Sequence, residues 1–210
     1  MKHGFKLRKR VSDVLYQLGP GRYYQPAYQH IAQAINLSTG SFLDVGCGPG
    51  WLCLHVAAGH LDIDAVGIDH SPQMVEAARK NKGSRLNVTI REMSADAIKF
   101  PEGTFDAVAA VQSAHHWDDS DGILREVFRV LKTGGRFYLY EADRGRTSVP
   151  EGWIQRSKGW PPDGLVLGGW RRFGMNETEW AALEVAVRRV GFSSVVVGEH
   201  GFYRRMVITK

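Results

Sequence analysis

Between residues 41 and 141, short runs of aliphatic and β-branched residues alternate with segments of helical spacing. No other feature constrains the fold of this 210-residue chain as strongly. Strands joined by helix-length connections pair in parallel, so the rhythm predicts βαβ units in an α/β sheet. The first strand is expected over 41–46, followed by the turn Gly46-Cys-Gly-Pro-Gly50 and a helix over 51–58. A second strand over 63–69 leads to a helix whose start is marked by Ser71 as N-cap and Pro72 at the first helical position. Further strands are expected over 87–92, 105–111 and 136–141. Residues 121–131 have helical spacing, and Gly134 and Gly135 are expected to close that helix.

The flanks differ from this centre. Residues 142–175 are rich in Gly and Pro, with Trp153, Trp160, Trp170 and Phe173 spread through them. A stretch that long is more than a connector and points to a functional insertion. Asn176 and Glu179 form a capping box for a helix reaching about Val190, with Gly191 as its stop. Strands over 194–198 and 203–209 lie too close for a helical crossover, which predicts an antiparallel hairpin. Near the start, 28–35 fits a short amphipathic helix, and Leu18-Gly-Pro-Gly21 fits a turn.

Composition bounds the partners. Hydrophobic residues at 43% and charged residues at 23% are ordinary for a globular protein. The net charge of +5 equals the contribution of Lys2, Lys6, Arg8, Lys9 and Arg10, so the excess sits in one solvated end rather than across a nucleic-acid-binding face. Cys47 and Cys53 make a poor disulfide framework, which suggests a reducing, cytoplasmic setting. The run 45–61, free of acids, lysines and arginines, holds four glycines, a proline and two histidines, so no membrane span or partner is expected. The basic start lacks the apolar core of a signal peptide.

Chemistry concentrates at Asp44-Val-Gly-Cys-Gly-Pro-Gly50. Glycines between a strand and a helix let backbone approach a ligand, and the carboxyl end of a strand is where doubly wound sheets bind ligands. A dinucleotide fingerprint would need a third glycine at 51, where this chain has Trp51, and no Gly-Lys-Ser/Thr follows for a phosphate loop. Asp69 ends the second strand nineteen residues after Gly50, a spacing suited to an acid that accepts ribose hydroxyls, with a helix-capping or loop carboxylate as the alternative.

These stretches together resemble the class I S-adenosylmethionine (SAM)-dependent methyltransferases. Phe42–Gly50 resembles the family's first motif, and Gly67-Ile-Asp-His-Ser-Pro-Gln-Met74 its second. Ser94-Ala-Asp96, Phe100-Pro101 and Thr104-Phe-Asp106 resemble the third, and Leu124–Gly135 the helix leading into the fifth strand. The resemblance implies a Rossmann-like, doubly wound, mostly parallel seven-stranded sheet of order 3-2-1-4-5-7-6 with a C-terminal antiparallel hairpin. It implies one methyltransferase domain over 1–210, with 1–37 as an N-terminal cap and 142–176 as a substrate lid.

It also implies roles. Gly46, Cys47 and Gly48 would pass the methionine part of SAM, and Asp44 would orient the loop or meet the amino group. Asp69 would hold the ribose, with His70 and Met74 beside the adenine, though a helical Met74 equally suits core packing. Asp96 would accept from the adenine amino group, Ala97 would offer its backbone, and Gln112 and Ser113 would line the methionine end. His115-His116-Trp117 resembles the small-molecule subgroup that includes the ubiquinone and menaquinone enzymes, with Trp117 at the cofactor. One of His115 and His116 would be a general base, or both would bond loop backbone; in an extended chain the two could not face one pocket. No spaced ligand set for a metal is present. Cys47 and Cys53 read as small core residues. The expected acceptor is a small molecule. RNA is the alternative, through the basic end and Arg144, Arg146, Arg156, Lys158, Arg171 and Arg172, and a SAM-binding protein without catalysis is a third reading. The sequence does not specify an oligomeric state.

Overall fold

The computed structural model describes residues 23–156 and 158–210. The basic end and the expected turn at 18–21 lie outside them. The described elements are α1 (Gln25–Ile35), β1 (Gly40–Val45), α2 (Trp51–Val56), β2 (Ile63–Asp69), α3 (Pro72–Lys82), β3 (Val88–Glu92), β4 (Phe105–Val111), α4 (Ser120–Val130), β5 (Leu131–Ala142), α5 (Asp163–Phe173), α6 (Glu177–Val190), β6 (Ser194–His200) and β7 (Tyr203–Thr209). The strands form one sheet of order β3-β2-β1-β4-β5-β7-β6. β1 through β5 pair in parallel, and β7 runs antiparallel between β5 and β6.

Period-two alternation sorts the central strands between two cores. Along β4, Ala107, Ala109 and Val111 join the cluster that packs on α1, α2 and α3, while Phe105, Val108 and Ala110 join the one on α4 and α6. Because both faces are covered, β1 and β4 read as near-continuous apolar runs. Asp44, on the α2 side of β1, is a carboxylate where that pattern calls for an aliphatic residue.

Local signals set most boundaries. The Ser71 hydroxyl accepts from the Met74 N–H, with Pro72 at the first position of α3. The capping box of α6 forms in both directions, Glu179 N–H to Asn176 and Asn176 N–H to Glu179. Three expectations need correction. α1 starts at Gln25 because Pro26 is accommodated in its first turn. Gly134 and Gly135 do not cap α4, which ends at Val130 and passes directly into β5. They form an irregularity inside that strand, where the register jumps from Phe105↔Leu131 to Ala107↔Arg136. Gly134 has φ +77°, and a Cβ at Gly135 would lie 2.8 Å from the Lys132 carbonyl. Finally, the 142–175 stretch contains the helix α5, hidden in the sequence by Gly164, Gly168 and Gly169.

Tertiary packing outweighs the poor propensity of α5. Trp170 is buried, stacks on Phe202 at 4.2 Å and donates from Nε1 to the Tyr24 hydroxyl at 3.1 Å. Trp153 stacks on His30 of α1 and covers the β6–β7 turn, where a Cβ at Gly201 would overlap its ring. Gly201 also has φ +62°. Gly201→Ala is therefore expected to cost about 1–3 kcal/mol through overpacking and backbone strain. The checks are a lower denaturation midpoint and a red-shifted tryptophan emission; an unchanged midpoint would refute the packing argument.

Candidate cofactor and acceptor site

The bend after β1 is built from backbone bonds that need positive φ. Gly46 has φ +71°, Gly48 +52° and Gly50 +79°, conformations costly for residues with a Cβ. The N–H groups of Gly46 and Cys47 both donate to the Ile68 carbonyl at 2.9 Å, tying the bend to β2. Asp69 continues the tie: one carboxylate oxygen accepts from Gly48 N–H at 2.9 Å and the other from Ser71 N–H at 2.8 Å. Around Gly48 a Cβ would meet nothing within 4 Å, so the bend presents open backbone.

Two close approaches fix this bend in place. A Cβ at Gly46 would lie 2.6 Å from the Ser113 Cβ, and one at Gly67 would lie 2.8 Å from the Cys47 sulfur. Ser113 does not turn its hydroxyl toward the open side; it donates to the Val45 carbonyl at 3.0 Å. Gln112 leaves β4 with φ +51° and donates from its side-chain amide to the Tyr203 hydroxyl at 2.9 Å. A non-glycine residue in that region is strained.

The electrostatics are unusual. Asp44 is 2% exposed, and its carboxyl is pushed up to about 7, first by burial and then by the negative charge of Asp69. The Cys53 thiol lies 3.8 Å from it. Burial also pushes both thiols up, with Asp44 adding to each, so neither cysteine is an activated nucleophile. Both are free and buried.

Beyond β2 and β3 lies a cavity of about 400 Å³ lined by His70, Glu92, Met93, Ser94, Ala97 and Lys99. His70 and Ala97 were expected there. Asp96 is exposed beside it, and Met74 is buried outside its lining. Met93 and Lys99 were missed, because a methionine and a lysine in a loop carry no sequence signature.

The chain after β4 forms a 3₁₀ turn over Ala114–His116 instead of an extended segment. This overturns the argument that the adjacent histidines face opposite ways: their ring centroids are 4.0 Å apart, and both line a second cavity of about 750 Å³. Trp117 lines it too, together with Phe173 at the end of α5, Met175 beyond it and Leu183 of α6. His116 is exposed, whereas the His115 Nδ1 lies 2.8 Å from the fully buried carboxylate of Glu141. Glu141 was not singled out from sequence. A signal existed: an acid closing the apolar run Phe137-Tyr-Leu-Tyr-Glu141 at a strand's carboxyl end.

Trp153 and Trp170 belong to the packing between α1, α5 and the hairpin, so they form the insertion's own core. Trp160 is half exposed and donates to the Tyr23 hydroxyl. Among the described residues no group of three His, Cys, Asp or Glu side chains is placed to hold a metal ion, and no helix is long and apolar enough to cross a membrane.

Comparison with known proteins places this geometry. Residues 43–139 match the family model described as a methyltransferase domain. Sterol 24-C-methyltransferase of Aspergillus fumigatus is 33% identical over 126 residues, covering 57% of this chain and 33% of that protein. Ubiquinone biosynthesis O-methyltransferase of Xanthomonas oryzae is 31% identical over 132 residues, covering 62% and 52%. This chain thus spans between a third and about half of the length of these curated relatives. A candidate SAM-dependent methyltransferase from Methanococcus maripaludis superposes with a TM-score of 0.74 at 20% identity, over 96% of this chain and 91% of that one, which establishes the shared fold. Over residues 43–139, the chain is thus similar in sequence to a methyltransferase domain.

Proposed function

We propose that the protein transfers the methyl group of SAM to an O, N or C atom of a small-molecule acceptor. The observation that carries this reading is the pairing of an open glycine bend with two carboxylates at the ends of β1 and β2, one of them buried with its carboxyl near neutrality. A buried carboxylate beside a second one favours a ligand that brings positive charge, and SAM carries both a sulfonium and an ammonium. Asp44 faces the amino-acid end, with Gly46, Cys47 and Gly48 supplying backbone along it and Gln112 and Ser113 closing the far side. Asp69 meets the ribose. A carboxylate oxygen accepts from more than one donor, so its bonds to Gly48 and Ser71 do not preclude ligand hydroxyls. His70, Asp96 and Ala97 serve the adenine at the smaller cavity.

The bound sulfonium supplies a methyl group already activated for displacement. The chain's task is to hold the acceptor in line with it and to keep water away. The larger cavity, with His115, His116 and Trp117 at its base, is the acceptor site in this reading. We assign the whole chain, 1–210, to one domain, with 1–37 as cap and 142–176 as lid. The contacts of Trp170 with Tyr24 and of Gln155 with the Tyr23 carbonyl support joining those two segments. A cytoplasmic setting is supported by two free, buried cysteines.

RNA as acceptor gains little. Of the cations suggested for it, Arg144 pairs with Glu179, Arg146 with Glu199 and Arg156 with Asp163. The test is incubation of the purified protein with methyl-labelled SAM and fractionated cell extract. Label is expected in a small-molecule fraction. Label in RNA would replace the acceptor class, and tight SAM uptake with no transfer to any fraction would reduce the protein to a binder.

A further inference from the structure

The carboxylate of Glu141 is fully buried at the carboxyl end of β5 and is shared between two neighbours. One oxygen accepts from the Ala114 backbone N–H at 2.6 Å, and the other lies 2.8 Å from His115 Nδ1. An ionised carboxylate offers acceptors only, so both neighbours must donate. That places the proton of a neutral His115 on Nδ1 and leaves Nε2, on the opposite edge of the ring, as an acceptor. His115 lines the larger cavity, and Ser113, two residues earlier, touches the glycine bend at Gly46. A histidine that lines the cavity is therefore tied through Nδ1 to a buried carboxylate at a strand's end.

We propose that Glu141 is a positioning residue that fixes the tautomer of His115, and that His115 Nε2 takes the proton an acceptor sheds as it is methylated. This rests on the methyl-transfer reading above. In the step, the acceptor O–H bond breaks and its proton passes to Nε2, the new O–C bond forms, and the sulfonium–methyl bond breaks to leave a neutral thioether. The Glu141 carboxylate, 2.8 Å from Nδ1, faces the imidazolium so formed. The acceptor class follows: a hydroxyl compound, rather than a lone-pair donor with no proton to lose, set against a wall that mixes Trp117, Phe173 and Met175 with Arg144, Arg172 and Glu179.

The decisive measurement is the nitrogen-15 imidazole spectrum of the full chain. In the native protein the neutral His115 is expected as Nδ1–H with an unprotonated Nε2. Glu141→Gln supplies one acceptor and one NH₂ group. With Ala114 N–H kept on the oxygen, the NH₂ faces Nδ1, so the tautomer is expected to flip to Nε2–H. In the same variant, label transfer from methyl-labelled SAM to the extract's small-molecule fraction is expected to fall about 100-fold, the range of a lost general base. Uptake of S-adenosylhomocysteine by calorimetry is expected to change less than about twofold, since Glu141 touches the turn and not the bend. An Nε2–H tautomer in the native protein overturns the proposal even if the variant does not fold. So does a variant whose rate falls without a change of tautomer, which would mark Glu141 as a mere anchor for the turn. Failure of the native protein to take up S-adenosylhomocysteine would instead sink the methyltransferase reading, leaving the tautomer result to stand by itself.

Discussion

Asp69→Ala is expected to weaken SAM binding by about 100-fold or more and to lower the thermal stability of the free protein at the same time. The two effects share one cause. Asp69 is the acceptor for Gly48 N–H in the bend and for Ser71 N–H at the start of α3. Removing it strands two poorly exposed donors, each costing about 1–3 kcal/mol. In the proposed reading it also removes the charged acceptor for the ribose, and hydrogen bonds to charged groups contribute about 1.5–3 kcal/mol each. Calorimetric titration with SAM reads the first effect and a melting curve the second. Affinity within about threefold of native would remove Asp69 from the ribose; at about 1.4 kcal/mol per factor of ten, so small a change leaves no room for even one such bond.

Asp44→Asn is expected to stabilise the ligand-free protein above neutral pH while crippling SAM binding. The folded chain raises this carboxyl from 3.8 to about 7. It therefore holds a proton that the unfolded chain releases at lower pH. The group's contribution to stability is complete below about pH 4 and is lost as pH rises through about 7. By pH 8 the cost of ionising it inside the fold is on the order of 4 kcal/mol. The neutral amide of the variant carries no such cost, so urea midpoints of the two proteins should diverge steadily from about pH 4 to about pH 8, with the variant higher. A cationic ligand favours the ionised form, so SAM binding to the native protein near pH 6 should release a proton, detectable by calorimetry in buffers of different ionisation enthalpy. Parallel stability curves with no proton release would show that Asp44 does not feel its surroundings in this way.

The architecture was legible because its signals are local and mutually consistent. Strand runs, the Ser71-Pro72 helix start and the Asn176/Glu179 box each act within a few residues, and the family resemblance ordered the strands. What sequence reading missed depends on partners far away in the chain. α5 persists despite three glycines because Trp170 has Phe202 and Tyr24 to pack on. Gly134 and Gly135 look like a helix stop, yet they serve a strand irregularity that Lys210 bonds from the far end of the chain. The site was legible in part for the same reason. The bend and Asp69 are contiguous motifs, whereas Glu141 acquires meaning only when β5 lies beside β4. The alternation rule for His115 and His116 failed because the strand had already ended, and a 3₁₀ turn brings neighbouring side chains together.

The missing methyl of Gly46 and the methylene of Ser113 compete for the same space. Two segments sixty-seven residues apart can therefore meet this closely only because position 46 carries no side chain. The seat of the turn that bears the histidines is thus set in part by an atom the bend lacks.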